Sequence, residues 1–298
     1  MTRWNQYKVN LLYNFGMTNI SEILCIGNEL LSGTVVNTNA QWISKRITNI
    51  GGLIKRVTVV RDDINEIASI VKEILARKPN WLIISGGLGP TYDDKTLEGV
   101  AMALGTDLVL DDDAIEMLKR SYARYSSSLK LNEVRLKMAR IPRGSIPIQN
   151  PVGSAPSILI DTSKFDNNIN STDQGIHTKI ICLPGVPNEL EAIFRDNILP
   201  QMIMMIGDFH IIETNHEIAG ISEAMIAPIL LKLVQSFSDD SVYLKTHPRG
   251  FTKDNRPKLR IQIVAKGKDK SAVQLTYNYI YDTLIKEIDI LNGEVLLT

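Results

Sequence analysis

Cysteine is nearly absent: Cys25 and Cys182 are the only two in 298 residues, and each sits in an apolar run. Neither has a metal-ligand spacing around it. This excludes a disulfide scaffold and a cysteine-based zinc site, and it points to buried, reduced thiols in a cytoplasmic protein. Histidine is also sparse, and His177, His210, His216 and His247 are scattered without ligand spacing or a Ser-His-Asp or Cys-His pattern. Net charge is missing altogether, with 33 Lys+Arg against 33 Asp+Glu. A surface given over wholly to nucleic acid or an acidic membrane is thereby disfavoured, and only a local basic groove stays open. No run approaches the ~18 apolar residues that span a bilayer, so no membrane partner is expected. At the N-terminus Arg3 and Lys8 precede Leu11 and Leu12, but Asn10 and Asn14 interrupt the stretch and no small-residue cleavage site follows. Residues 1–16 therefore read as an extension ahead of Met17, not as a signal sequence.

What remains is an ordinary globular composition, 44% hydrophobic and 22% charged, at a length that suggests two domains. From Ile20 the chain alternates strand and helix. Strands are expected at Ile20–Ile26, Leu53–Val60 and Trp81–Ser85, with helices over 39–50, 65–77 and 96–104 between and after them. Trp81–Ser85 is apolar without alternation, the mark of a strand buried on both faces. This order predicts parallel strands with right-handed crossovers, an α/β three-layer sandwich with a mostly parallel sheet. A charged helix is expected over 114–138. Pro142, Pro147, Pro151 and Pro156 then mark an ordered turn-rich loop. Strands at 157–160 and 179–183 flank a polar stretch read as a long exposed hairpin loop, whose Asn170-Ser171-Thr172 sequon carries no meaning in the cytoplasm. A helix after Asn188 is expected to stop at Pro200. Past residue 206 a β-α-β-β-α-β order predicts a second, small α+β module: strand to Ala219, helix 222–235, strands 242–246 and 259–265, helix 271–288 and strand 294–297. The domains are thus 17–205 and 206–298.

The segment from Trp81 to Thr96, WLIISGGLGPTYDDKT, is the most informative. A buried strand runs into Gly86, Gly87 and Gly89, whose backbone can bring N–H groups close to an oxyanion. In an open parallel sheet the ligand crevice lies beyond the strand C-termini, where this loop falls. It is neither a Walker A loop nor a GxGxxG fingerprint. Asp93 and Asp94 follow at the start of the helix that Thr96 opens. Either could cap it, but one cap suffices, and two carboxylates beside a phosphate cradle would repel the phosphate. A divalent cation between carboxylate and phosphate removes that conflict.

Three further loops leave strand ends. Gly27-Asn28-Glu29 places a carboxylate directly after the first strand, and Asn37, Thr38 and Asn39 can reach a ligand or cap the next helix. Pro151–Pro156 offers Gly153, Ser154 and its hydroxyl. Leu183–Glu189 offers Gly185, with Asn188 as the expected N-cap. Any one loop is weak evidence, and four at one presumed sheet edge are stronger. The basic stretch Lys245, His247, Arg249, Lys253, Arg256, Lys258 and Arg260 reads as a solvated hairpin or, without aromatic interleaving, a phosphate or RNA contact.

The motifs GNELLSG with NTNAQW, SGGLGPTYDDKT, NPVGSAP and LPGVPNEL, in this order, resemble the N-terminal domain of the CinA (competence/damage-inducible) family. That domain belongs to the molybdopterin-binding superfamily of MogA, MoaB and MoeA, and the resemblance covers about residues 19–200. Residues 209–298, with Gly220-Ile221-Ser222-Glu223, look like the KH-type module that follows in CinA proteins, without its GxxG loop. The resemblance implies a site for a phosphorylated pterin or nucleotide. In the cofactor proteins the matching loop reads GGTG…RD.T, which puts the functional carboxylate on Asp94 and puts Asp93 where those proteins carry Arg. Replacing a cation by a carboxylate favours a metal-bridged anion, in keeping with the metal-dependent ADP-ribose pyrophosphatase activity of the CinA branch. Asn28 and the 162–178 insertion depart from the pattern. The chain to Thr298 also leaves no room for the nicotinamide mononucleotide deamidase domain of bacterial CinA proteins.

The resulting expectation is hydrolysis of the diphosphate of ADP-ribose or a related nucleotide. Asp94 and Asp93 act as the catalytic pair, and with Glu29 they hold a divalent cation (Mg, Mn or Co). Gly27, Glu29, Asn37, Asn39, Gly86, Gly87, Gly89, Thr96, Gly153, Ser154, Gly185 and Asn188 contact the ligand. The alternatives are a non-hydrolytic molybdopterin or nucleotide binder and an RNA-binding or scaffold role through the second module. A homodimer follows from family analogy alone.

Overall fold

A computed structural model describes residues 19–124, 131–165, 177–237 and 241–296. The expected extension over 1–16, the sequon and most of the 162–178 insertion lie outside these residues. Backbone contacts divide the chain into two compact units between Ile206 and Gly207.

The first unit is a six-stranded mixed sheet in the order β2-β1-β3-β8-β7-β6. Its strands are β1 (Ile20–Ile26), β2 (Leu53–Val60), β3 (Trp81–Ser85), β6 (Ile146–Ile148), β7 (Ser157–Asp161) and β8 (Lys179–Leu183), with a separate pair β4 (Leu108–Leu110) and β5 (Arg140–Pro142). β2, β1, β3 and β8 run parallel, while β7 and β6 are antiparallel to their neighbours. Strand alternation builds two cores. Ile23, Cys25, Trp81 and Ile83 face one layer together with Ile43 and Ile47 of a helix over Thr38–Asn49. Leu24, Ile26, Leu82 and Ile84 face the other with Ile67, Val71 and Ile74 of a helix over Ile64–Ala76. With both faces covered, alternation from apolar to polar disappears, which is why β3 reads as continuously apolar.

The helices in chain order are α1 (Asn28–Leu31), α2 (Thr38–Asn49), α3 (Ile64–Ala76), α4 (Thr96–Leu104), α5 (Asp112–Ala123), α6 (Glu133–Leu136), α7 (Pro187–Ile193) and α8 (Leu199–Ile206). Asn37 caps α2, Asp63 caps α3 and Asp111 caps α5, each side chain accepting from backbone N–H groups of the first turn. A short side chain with an acceptor oxygen, an amide at Asn37 and a carboxylate at Asp63 and Asp111, thus sets where three helices begin.

Four local expectations change. The helix over 114–138 is broken: α5 ends at Ala123, and Asn132 caps a separate one-turn α6. Pro200 does not stop its helix, because a π-turn over Phe194–Ile198 joins α7 to α8 and leaves the proline in the first turn of α8, where a missing N–H costs little. The proline-rich loop contains β5 and β6, and Pro147 is tolerated because β6 lies at the sheet edge. Asn188 is not an N-cap: Val186 takes that place without a side-chain bond, since Pro187, with its preset φ, starts α7 earlier.

The second unit has strands β9 (His210–Ala219), β10 (Val242–Phe251), β11 (Pro257–Gly267) and β12 (Glu294–Leu296) in the antiparallel order β10-β11-β9-β12. Helices α9 (Glu223–Gln235) and α10 (Lys270–Ile290) pack on it through Ile226, Leu230, Ile280 and Leu284 against Ile218, Ile261 and Ile263. This is a split β-α-β arrangement. No helix of the described residues is long and apolar enough to cross a membrane.

Candidate functional site

The parallel strands β2, β1, β3 and β8 all release their loops at one edge of the sheet. β7, running the other way, begins at that same edge, so the loop before it joins them. There a cavity of about 530 Å³ is lined by Gly27, Glu29, Asp62, the Gly86–Thr91 loop, Asp93, Asp94, Ser154, Pro184–Val186 and Glu189, with Tyr122, Met138 and Ala155. Its charged side chains are Glu29, Asp62, Asp93, Asp94 and Glu189, all carboxylates.

The glycine loop is held from beneath. Gly86 N–H donates to the Leu183 carbonyl at 3.0 Å, and the buried Thr96 hydroxyl donates to the Gly86 carbonyl at 2.7 Å. Gly86 has φ +106°, and a Cβ there would lie 2.2 Å from the Ile26 carbonyl oxygen, so only glycine fits. Among the described residues no acceptor pairs with the N–H groups of Gly87, Leu88 and Gly89. Three consecutive donors therefore stand at the cavity wall.

Beyond them the chain folds back on itself. Asp94 Oδ2 accepts from the Thr91 N–H at 2.8 Å, and the Thr91 hydroxyl lies 2.5 Å from both Asp94 Oδ2 and Asp93 Oδ1. One hydroxyl proton serves one carboxylate at a time. Lys137 Nζ, which lines a small adjoining pocket on the other side of Gly87–Gly89, donates to the carbonyls of Thr91 and Asp94 at 2.7 and 2.6 Å and so fixes this turn. The Thr91 hydroxyl, the backbone N–H of Asp93 and then Lys137 and Lys95 hold the Asp93 carboxyl below the usual range. Burial pushes the Asp62 carboxyl up against the opposing Asn28 N–H, and Glu29, Asp93 and Asp94 add to the rise. At Asp62, then, the neighbouring anions act with burial to favour the protonated form.

Of the residues expected at the site, Gly27, Glu29, Gly86, Gly87, Gly89, Asp93, Asp94, Ser154 and Gly185 line the cavity. Asn37, Asn39, Thr96, Gly153 and Asn188 do not. Asn37 Oδ1 caps α2, and Asn39 Nδ2 donates to the Gly185 carbonyl at 2.8 Å and to Ser85 Oγ at 3.2 Å, so both hold the loops around the cavity. Gly153 packs under the Glu189 carboxylate, which also accepts from Asn150 Nδ2 at 2.7 Å. The Asp93–Asp94 pair is not a helix cap either, for α4 begins after Lys95 with no side-chain cap.

Asp62 and Glu189 were not anticipated. Asp62 had a signal: in Asp62-Asp63 one carboxylate caps α3 and the other is spare, the same reasoning that singles out Asp94. Glu29, Asp93 and Asp94 do not form a closed metal cage, and no three His, Cys, Asp or Glu residues among those described could hold an ion by themselves. A Mg²⁺ site of one or two carboxylates completed by substrate phosphates and water needs no such cage, so the donor set fits a cation brought in with an anion. In the second unit Lys258 and Arg260 both pair with Glu217, and Arg256 pairs with Glu294.

The comparisons agree with this picture. Residues 22–203 match the family described as "Probable molybdopterin binding domain". A protein of Metallosphaera sedula is 40% identical over 254 residues, 85% of this chain and 88% of its own. One from Saccharolobus solfataricus is 37% identical over 273 residues, covering 92% and 93%. The crystal structure of CinA from Thermoplasma acidophilum, a protein of unknown function, shares 40% identity with a TM-score of 0.50, over 59% of this chain and 94% of that one. With a family match over more than half its length and relatives of this identity along most of it, the chain belongs to the molybdopterin-binding domain family.

Proposed function

We propose that the cavity binds a phosphorylated small molecule together with a divalent cation, and that it hydrolyses the diphosphate of ADP-ribose or a related nucleotide to AMP and a sugar phosphate. The observation that carries this reading is the pairing of three unpartnered N–H donors, Gly87 to Gly89, with a wall of carboxylates in one cavity. Backbone donors suit phosphate oxygens, and the carboxylates exclude an anion that arrives without a cation. The N–H groups hold the diphosphate and stabilise charge that develops on its oxygens. Asp94, with Asp93 and Glu29, holds the cation, for which Mg, Mn and Co are the candidates. Such an ion polarises phosphorus and lowers the pKa of water. In the reaction water adds to one phosphorus, the bridging P–O bond breaks, and the bridging oxygen leaves on the second phosphate.

The test is to supply ADP-ribose with each metal in turn and follow AMP by chromatography. Metal-dependent AMP release supports the reading, and absence of AMP with every metal refutes the hydrolytic part. A second reading is binding of a pterin or nucleotide without turnover, in keeping with the molybdopterin-binding family that residues 22–203 match. Tight binding without product would select it.

A further inference from the structure

The carboxylates and the glycine loop account for only part of the cavity wall. Leu88, Met138 and Ala155 belong to the apolar cluster on the α3 side of the sheet, and Tyr122 of α5 packs against that cluster while reaching the cavity. Asp62 follows β2, whereas Ala155 precedes β7, four strand spacings away in the sheet order. At about 4.8 Å per spacing the site extends about 19 Å along the sheet edge, and on its β7 side an apolar wall stands beside the Glu189 carboxylate. A ligand that fills it needs an anionic middle and a flat apolar group on the β7 side.

We infer that Tyr122, with Met138 and Ala155, forms the subsite for the heteroaromatic base of the ligand, and that this subsite selects nucleotides over base-free sugar phosphates. The inference rests on the phosphate-binding reading above and adds the specificity to it. The tyrosine is held for that task. The Arg135 guanidinium stands over its ring, 4.7 Å from the centroid, and Arg135 does not itself line the cavity. Two residues on from the ring, Arg124 donates to the carbonyls of Pro151, Asn150 and Gly153, which ties the loop carrying Ser154 and Ala155 to the end of α5. Ring and loop are therefore set against each other before any ligand arrives, and the ordering cost of binding falls. The Ser154 hydroxyl beside them can donate or accept at a base edge. An aliphatic ligand would not need an aromatic ring fixed in this way.

The experiment is calorimetric titration, in the presence of Mg²⁺, with AMP and with ribose 5-phosphate, which carries the same sugar phosphate and no base. AMP is expected to bind about tenfold to a hundredfold more tightly, the range that base–aromatic stacking supplies. Tyr122→Leu should reduce that advantage to less than about threefold while ribose 5-phosphate binds as before, and Tyr122→Phe should retain it. Equal affinity of the wild-type protein for the two ligands overturns the subsite and leaves the phosphate site standing. So does a Tyr122→Leu variant that weakens both ligands alike. If neither ligand binds, the phosphate-binding reading fails and this inference falls with it.

Discussion

Replacing Gly86 by alanine perturbs the point on which the glycine loop turns. Two costs add. A φ of +106° is a region that L-residues avoid, at about 1–3 kcal/mol. The new Cβ also meets the Ile26 carbonyl oxygen at 2.2 Å, and because that atom is backbone of β1, deep in the sheet, it cannot swing away. Overpacking of this kind costs about 1–3 kcal/mol. The sum, about 2–6 kcal/mol, is a large part of the roughly 5–15 kcal/mol that holds a domain together. The assay is urea unfolding followed by tryptophan fluorescence. Trp4, Trp42 and Trp81 all precede residue 207, so the signal reports the first unit alone. With a slope of about 2 kcal/mol/M the midpoint should fall by about 1–3 M. Gly33→Ala is the control, because Gly33 has φ +74° with nothing within 4 Å of the new Cβ, leaving only the conformational cost. Its midpoint should move by about half as much or less. A Gly86→Ala midpoint within about 0.3 M of wild type would refute the argument that this loop is pinned against β1.

The layered fold was legible because it depends on one-dimensional patterns. Continuous apolar strands such as Trp81–Ser85, amphipathic helices such as 65–77 and glycine punctuation after each strand each have a local cause. The loops at the sheet edge were legible for the same reason: Gly27, Gly86, Gly87, Gly89 and Gly185 all follow strand ends and all reach the cavity. What was not legible depends on contacts distant in sequence. Lys137 reaches carbonyls of Thr91 and Asp94 more than forty residues away, and Arg124 holds a loop beyond a gap of similar kind. Nor does the sequence show that the Asn39 and Thr96 side chains bond to the Gly185 and Gly86 carbonyls. Polar side chains near a site serve its backbone as often as its ligand, and only the folded geometry separates the two.

Three further outcomes are expected. Asp94→Ala should abolish AMP release from ADP-ribose while costing the fold only about 1 kcal/mol, since the lost bonds to Thr91 lie at the surface; an active variant would remove Asp94 from the chemistry. Arg77→Met should destabilise the first unit by about 3 kcal/mol, because Glu22, 1% exposed, loses its two bonds to the guanidinium, and adding Glu22→Met should restore most of that loss; a single variant within 0.5 kcal/mol of wild type contradicts this. Burial lowers the Lys179 ammonium from 10.5 to about 8, opposed by Asp161. The unfolded chain then holds more protons between those values, so stability should climb with pH from about 8 to 10.5, by up to about 3 kcal/mol, and below 8 the penalty is present in full. Lys179→Met should flatten that climb in denaturation curves taken across the window, and an unchanged slope would show that Lys179 is not its source.

The most direct test of the account is the affinity for ADP-ribose measured by calorimetry with and without Mg²⁺. A cavity whose charged side chains are all carboxylates should bind the diphosphate at least tenfold more tightly when the cation is present, because the ion replaces repulsion by a bridge. Affinity that is equal without the cation, or higher, would contradict the claim that this site takes its anion through a metal.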